Sequence, residues 1–298
     1  MDDNILKSGA CSLILGKNHY GHYFPIKQNK LIKISKVVHN HDEFVHLDDI
    51  RKIKDYEKYY TIPDREVIRL SHNNNFLNYL KTVVDEYELD IITGKLNCMY
   101  INYAGNMDLL DSIKLLVEED KTIWKSAKII INFSKHILMG LDYLHQNQIC
   151  HLDIKPENIM VNTSNNSFKI IDFGFASKYP FDDYINNIRG TPGYFPLHFI
   201  EHNYIVPGLP KIYANDMTLV NGKLKIAKDR NLIYKIDNYS FGRVLNYLYY
   251  YYQELTITDC FCYEYKTKSK ISKLINILME DDIFKRKTTS EVLKNSVF

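Results

Sequence analysis

Two short polar runs hold most of the side chains in this chain that could do chemistry: His151-Leu152-Asp153-Ile154-Lys155-Pro156-Glu157-Asn158, and Asp172-Phe173-Gly174. The first brings a carboxylate, an ammonium and an amide into one loop. The second adds another carboxylate a little downstream. Moving a phosphoryl group onto a hydroxyl calls for such a set. One carboxylate orients the attacking hydroxyl and takes its proton, a second joins an amide in holding metal ions, and a cation balances charge on the transferring group. The bland alternative is a chance polar loop beside a hydrophobic hairpin. The order and spacing of the two runs speak against it.

Both runs must be held by the elements around them. Trp124 to His145 carries Ile129, Phe133, Ile137, Leu141 and Leu144 at helical spacing, and Tyr239 to Tyr252 reads as a second apolar helix. Between these helices, Ile159 to Val161 and Phe168 to Ile171 can pair as a hairpin turning at Asn165-Asn166. The first hundred residues read differently. Ser12 to Leu15, Lys30 to Ile34, Lys58 to Pro63 and Lys95 to Tyr103 look like strands, while Asp42 to Ile53 looks helical, with Phe44, Leu47, Ile50 and Ile53 in step. The expectation is a β-rich first part with one main helix and a mainly helical second part.

Composition narrows the function classes. The 38 basic and 36 acidic residues leave a formal charge of +2, so the overall balance calls for neither a nucleic-acid nor a membrane partner. The cysteines, Cys11, Cys98, Cys150, Cys260 and Cys262, form no C-x-x-C pair, which fits a reducing cytoplasm and speaks against zinc. No span reaches the roughly 20 apolar residues that cross a bilayer, and Leu13 to Leu15 is too short for a signal-peptide core.

With HLDIKPEN and DFG in this order, the chain resembles the eukaryotic-type protein kinases of the Ser/Thr class. The resemblance implies an α+β, bilobal fold: a small β-rich N-lobe over residues 1–103 and a larger helical C-lobe over 104–298, together one kinase domain. It implies ATP and Mg²⁺ or Mn²⁺ as cofactors and protein Ser/Thr hydroxyls as substrates. By motif position Asp153 resembles the catalytic base, Lys155 the lysine that contacts the γ-phosphate, and Asn158 and Asp172 the metal ligands, while His151 supports the loop. In Gly190-Thr191-Pro192-Gly193-Tyr194, Thr191 is similar to the threonine that bonds the catalytic Asp and Lys. Asp237 resembles the buried aspartate that anchors the catalytic loop. Arg286 resembles the arginine that pairs with a Glu after the activation segment; here that position is His198, with Glu201 a possible substitute.

On the nucleotide side the resemblance is looser. Gly loops cover phosphates because backbone N–H groups approach closely only where side chains are missing. One register uses Lys7 to Ile14, keeping Gly9 and setting Ile14 over the adenine. The other uses Gly16 to Tyr23. In either, an ordinary turn is the alternative. Lys33, in KLIKIS, is similar to the strand lysine that grips the α- and β-phosphates, with Lys30 and Lys36 as competitors. Its helical partner is Glu43, or more remotely Glu57. Tyr100 to Gly105 resembles the hinge: Ile101 guards the back pocket, Asn102 and Ala104 offer backbone groups to the base, and Asp108 reaches the ribose. A core strand running into a turn would show the same pattern.

The departures from the family carry expectations too. Leu152 stands where many kinases carry an Arg that an activation-loop phosphate neutralises. Between Asp172 and Thr191 the hydroxyl residues are Ser177, Tyr179 and Tyr184, so activity without activation-loop phosphorylation is expected. The stretch 199–236 is longer than usual, with a hairpin expected at Asn221-Gly222. A tolerated surface excursion is the plainer reading of it than a docking site. Phe298 falls where a kinase domain would end, which implies no regulatory tail. Minimal length and sparse glycines are similar to kinases of large DNA viruses, which would place the protein in the host cytoplasm or the virion. A pseudokinase scaffold is the main alternative. A small-molecule kinase shares the H-x-D-x-x-x-x-N pattern but not Lys155, Gly190 to Tyr194 or Asp237 in these contexts.

Overall fold

The computed structural model describes residues 5–8, 12–15, 28–35, 46–69, 97–117, 122–179, 190–191, 193–194, 196, 217–220, 223–226, 231–255 and 262–298. The chain forms two compact units. One comprises Met1–Leu47 and Thr61–Ala104; the other comprises Asp48–Tyr60 and Gly105–Phe298.

The first unit is built on a five-stranded antiparallel sheet of β1 (Ile5–Ser8), β2 (Ser12–Leu15), β3 (Lys30–Ser35), β4 (Pro63–Arg69) and β5 (Asn97–Asn102), in the order β1-β2-β3-β5-β4. Alternation fixes its register: Leu15 pairs with Ile32, and Ile32 with Tyr100, all fully buried or nearly so. Strands were expected at β2, β3 and β5 and are found there.

The strand expected over Lys58 to Pro63 is not found. That segment closes helix α2 (Tyr56–Tyr59), and β4 starts only at Pro63. The reason is tertiary. Tyr59 and Tyr60 belong to the second unit, where Tyr59 packs on His136 and Tyr143, and Tyr60 sits edge-on to Phe173. The Tyr60 hydroxyl also donates to the Gly140 carbonyl. Aromatic residues with good strand propensity are thus spent as anchors. The preceding helix α1 spans Leu47–Arg51, at the C-terminal side of the expected 42–53 span; residues 42–45 lie outside the described ones.

The second unit is organised by α4 (Ala127–Gln146) and α5 (Asn231–Leu255). On α4, Ile130, Phe133, Ile137, Leu141 and Leu144 form the buried stripe that 3.6-residue periodicity requires. Phe133 meets Trp124, Phe168 and Phe241 with ring centroids 5.3, 4.9 and 5.8 Å away. Buried residues occur on most sides of α5, from Leu232 and Ile236 through Phe241 to Leu248 and Tyr252, as a central helix must have them. Helices α6 (Cys262–Leu278) and α7 (Thr289–Leu293) complete this layer, and a Thr288/Glu291 capping box starts α7.

The hairpin of β8 (Ile159–Asn162) and β9 (Ser167–Ile170) pairs Asn162 with Ser167, and Asn166 takes the left-handed conformation that its turn needs. Before it come β6 (Met107–Asp108), which pairs with β8, then α3 (Leu109–Lys114) and β7 (Ile149–Cys150). After it come β10 (Ser177–Lys178), which pairs with β7, and a separate ladder of β11 (Met217–Val220) and β12 (Lys223–Ile226). In that ladder Val220 pairs with Lys223, so the connection is the two-residue Asn221-Gly222.

Candidate active site

The loop between β7 and β8 is held from below by one side chain. Asp237, on α5 and 0% exposed, accepts the backbone N–H of His151 on Oδ2 at 2.9 Å and that of Leu152 on Oδ1 at 2.8 Å. Leu152 needs this support because it is held at φ 64°, a left-handed geometry unfavourable for leucine. His145, at the end of α4, adds its Nε2 to Asp237 Oδ2 at 2.9 Å. Burial alone would push the Asp237 carboxyl up. The hydrogen bond and charge of His145, with the His151 contacts, outweigh it and hold the group below the usual carboxylate value. Thr289 Oγ1 donates to Asn238 Oδ1 at 2.6 Å, so the His145 Nδ1, 2.8 Å away, donates to Thr289.

His145, Cys150 and Asp237 bring ligand-type atoms within 4.8 Å of one another. Both Asp237 oxygens already accept hydrogen bonds, and burial pushes the Cys150 thiol well above its usual value. The cluster therefore reads as a clamp on the loop.

On the upper side of the loop three side chains close a triangle. Lys155 Nζ lies 2.9 Å from Asp153 Oδ2 and donates to Thr191 Oγ1 at 2.8 Å, and Thr191 Oγ1 donates to Asp153 Oδ1 at 2.6 Å. Asn158 is drawn into the same group, its Nδ2 donating to the Asp153 carbonyl and to Asp153 Oδ2 at 2.9 Å each. With its nitrogen turned to Asp153, the amide keeps its oxygen for another partner.

Asp172 is tied to Asn158 through the backbone, because the Ile171 N–H donates to the Asn158 carbonyl at 3.0 Å. Asp172 is also left-handed, at φ 61°, and a Cβ at Gly174 would stand 3.4 Å from its Oδ1. Glycine there leaves the carboxylate room. An amide oxygen and a carboxylate are hard oxygen donors, the set that suits Mg²⁺ or Mn²⁺. His151 supports this arrangement: its Nδ1 accepts the Asp153 N–H at 3.3 Å, its Nε2 donates to the Ile171 carbonyl at 3.0 Å, and its ring packs 4.9 Å from Phe173.

The first unit carries most of the residues expected to face a nucleotide, and Asp108 belongs to the second. Lys33 is only 5% exposed and pairs across the sheet with Ile14 on β2 and Met99 on β5. Of its competitors, Lys30 reaches Asp64 at 2.7 Å, and Lys36 lies outside the described residues. Ser8 pairs with Leu13, so β1 and β2 are joined through residues 9–11. Gly9 itself, the residues 16–23 of the other register and Glu43 lie outside the described residues. Glu57 sits on α2 in the second unit with its side chain exposed.

Ile101 and Asn102 end β5, Ala104 follows nearly buried, and the Tyr103 N–H donates to the Asn29 carbonyl at 3.1 Å. Asp108 is placed as the N-cap of α3, its Oδ1 accepting the Asp111 N–H at 2.9 Å. His198, which stands where the family's Glu partner of Arg286 would be, and its possible substitute Glu201 lie outside the described residues. The Arg286 guanidinium donates to the carbonyls of Glu280 and Lys235 at 2.8 and 3.2 Å and stacks over Tyr239.

Two contributors escaped the reading of the sequence. His145 carried a weak signal, as a histidine ending the helix before the loop. The pair of Asp49 and Lys178, 2.7 Å apart, had none, because its partners are 129 residues apart.

A β-sheet unit, a helical unit, and a loop whose Asp153, Lys155 and Asn158 meet Thr191 make up the arrangement of the protein kinase class. A family model described as the protein kinase domain matches residues 31–298, and the chain belongs to that family. Myosin light chain kinase 3 of Homo sapiens is 31% identical over 144 residues, 48% of this chain and 17% of that protein. The probable serine/threonine-protein kinase fhkB of Dictyostelium discoideum is 34% identical over 125 residues, 41% of this chain and 10% of that protein. The matched stretches thus span well under two thirds of these relatives. In fold, the chain is similar to the Cydia pomonella granulovirus kinase PK-1, with a TM-score of 0.59 at 14% identity, covering 99% of this chain and 92% of that one.

Proposed function

We propose that this protein transfers the γ-phosphate of ATP to Ser or Thr hydroxyls of protein substrates, without needing a phosphate on its activation segment. The observation that carries the reading is the triangle of Asp153, Lys155 and Thr191. Asp153 is placed to orient the substrate hydroxyl and take its proton, and Lys155 to balance charge on the group in flight. Thr191 holds both at fixed separation. Lys33 grips the α- and β-phosphates, with Glu43 as its partner. Gly9 and Ile14 cover the nucleotide, Ile101, Asn102 and Ala104 contact the base, and Asp108 reaches the ribose. Asn158 and Asp172 would hold Mg²⁺ or Mn²⁺, which supplies charge neutralisation at the phosphates when bound. The substrates are proteins, and no nucleic-acid partner is part of the proposal.

Among the described residues no helix is long and apolar enough to cross a membrane. Action in the cytoplasm, as a kinase of a large DNA virus in its host or virion, belongs to the same proposal. The likeness to the granulovirus kinase bears on fold alone.

The test incubates purified protein with labelled ATP, Mg²⁺ or Mn²⁺ and mixed protein substrates, beside Asp153→Asn. Phosphoserine or phosphothreonine that disappears in the variant is the expected result. No transfer together with no nucleotide-dependent thermal shift would favour the pseudokinase reading, and binding without transfer would point to a missing activator or the wrong substrate.

A further inference from the structure

Residues 177–179, soon after Asp172-Phe173-Gly174, are held by backbone bonds. Ser177 and Lys178 pair in antiparallel fashion with Cys150 and Ile149, and the Tyr179 N–H donates to the Gln148 carbonyl at 2.9 Å. These bonds tie the segment to the strand that feeds the catalytic loop. A second tie runs sideways. Lys178 Nζ lies 2.7 Å from Asp49 Oδ2 on α1, with both side chains only partly exposed, and this contact is the first cause holding the Asp49 carboxyl below its usual value.

Helix α1 is pinned in turn. Ile50 and Ile53 are buried, and further along the same segment Tyr60 packs edge-on to Phe173, 5.8 Å between centroids. The helix, the segment after Gly174 and the catalytic loop are therefore joined through one ion pair and one set of backbone bonds. At position 152, meanwhile, a buried leucine offers no charge to a phosphate.

We propose that Asp49 and Lys178 form a positioning pair that fixes the start of the activation segment against α1, taking the place of the bridge that a phosphorylated residue would otherwise supply. The inference rests on the kinase reading above and names how that site is kept in order. The pair is no part of the set proposed to bind substrate or nucleotide. It acts through the geometry of Asp172 and Phe173, so its loss should lower kcat while leaving the KM for protein substrate near its starting value. A partly exposed pair of this kind sets a modest scale, about threefold to fivefold in rate. The effect should shrink with added salt, which screens the charges.

The test compares wild type with Asp49→Asn, Lys178→Met and the exchange Asp49→Lys/Lys178→Asp. Lys52→Met serves as control, because Lys52 also reaches Asp49 at 3.0 Å but is largely exposed and lies directly after the same helix, away from the activation segment's strand. Two readouts are taken on phosphatase-treated protein: steady-state phosphotransfer, and hydrogen exchange at residues 47–53 and 176–179. The expected result is a fall in kcat and faster exchange at both segments in each single variant, recovery of both in the exchange variant, and no change in Lys52→Met.

Unchanged exchange and kcat in the single variants would overturn the proposal, as would a rise in kcat, which would make the pair a brake. Failure of the exchange variant to recover would assign the losses to something other than pairing. Should wild type transfer no phosphate, the kinase reading fails, and the exchange data still decide whether the pair positions the segment.

Discussion

Replacing Asp237 with Asn tests whether one buried carboxylate organises the catalytic loop. The change keeps shape and removes charge. One oxygen can still accept the Leu152 N–H, but an NH₂ group now faces the His151 N–H, which sat 2.9 Å from the lost oxygen. An orphaned buried N–H costs about 1–3 kcal/mol, and losing a charge-assisted bond to His145 costs about 1.5–3 kcal/mol. Breaking a buried charge pair from one side is known to cost about 3–5 kcal/mol, so a loss of about 3–4 kcal/mol is expected.

The strained backbone at Leu152 would then relax, and a displacement of about 1 Å at Asp153 lowers rate by about a hundredfold. Urea unfolding measures the first quantity, and phosphotransfer at a denaturant-free temperature, well below the variant's transition, measures the second. The pH dependence follows from the direction of the Asp237 shift. A carboxyl held below its unfolded value contributes stability that is full above about pH 4 and is lost as the pH falls through the folded value. The gap between wild type and Asp237→Asn should therefore close in acid. A variant within 1 kcal/mol of wild type at pH 7, with full activity, would refute the reasoning.

Thr191→Val removes a hydroxyl that accepts from Lys155 and donates to Asp153, and a fall in kcat of about tenfold to a hundredfold is expected, with Thr191→Ser restoring most of it. Steady-state kinetics on the two variants checks this. Gly105→Ala would place a Cβ 2.4 Å from the Val161 carbonyl oxygen, closer than any real contact, so the backbone must shift. A loss of about 1–3 kcal/mol in urea unfolding is expected, and neutrality would mean that the approach of this backbone to β8 is looser than described.

The catalytic loop was legible because its residues lie close together in the chain and each type answers a chemical need. The hairpin behind it was legible for a similar reason, with two apolar runs and an Asn-Asn turn leaving little choice of partner. The role of His151 as support followed from its place in the motif, and its hydrogen bonds to Ile171 and Asp153 supply the means. Lys58 to Pro63 misled because Tyr59 and Tyr60 have strand propensity and nothing local shows that their rings are claimed by His136, Tyr143 and Phe173. The start of α5 at Asn231 was also missed, since the apolar run used to place the helix began only at Tyr239.

By itself the sequence singled out the candidate set proposed to react, Asp153, Lys155, Asn158 and Asp172, and the change from sheet to helix along the chain that carries it. Local spacing is enough for both, because loop chemistry and hydrophobic periodicity are short-range properties of a chain. The family resemblance pointed to Asp237 beneath the loop and Thr191 above it, but only the tertiary structure decided their helpers, His145 and Thr289 beside Asp237, and the pairing of Asp49 with Lys178. These partners lie from tens of residues to well over a hundred residues apart. Pairings over such distances are chosen by packing, which places whole elements and so brings together charges that no local pattern could link.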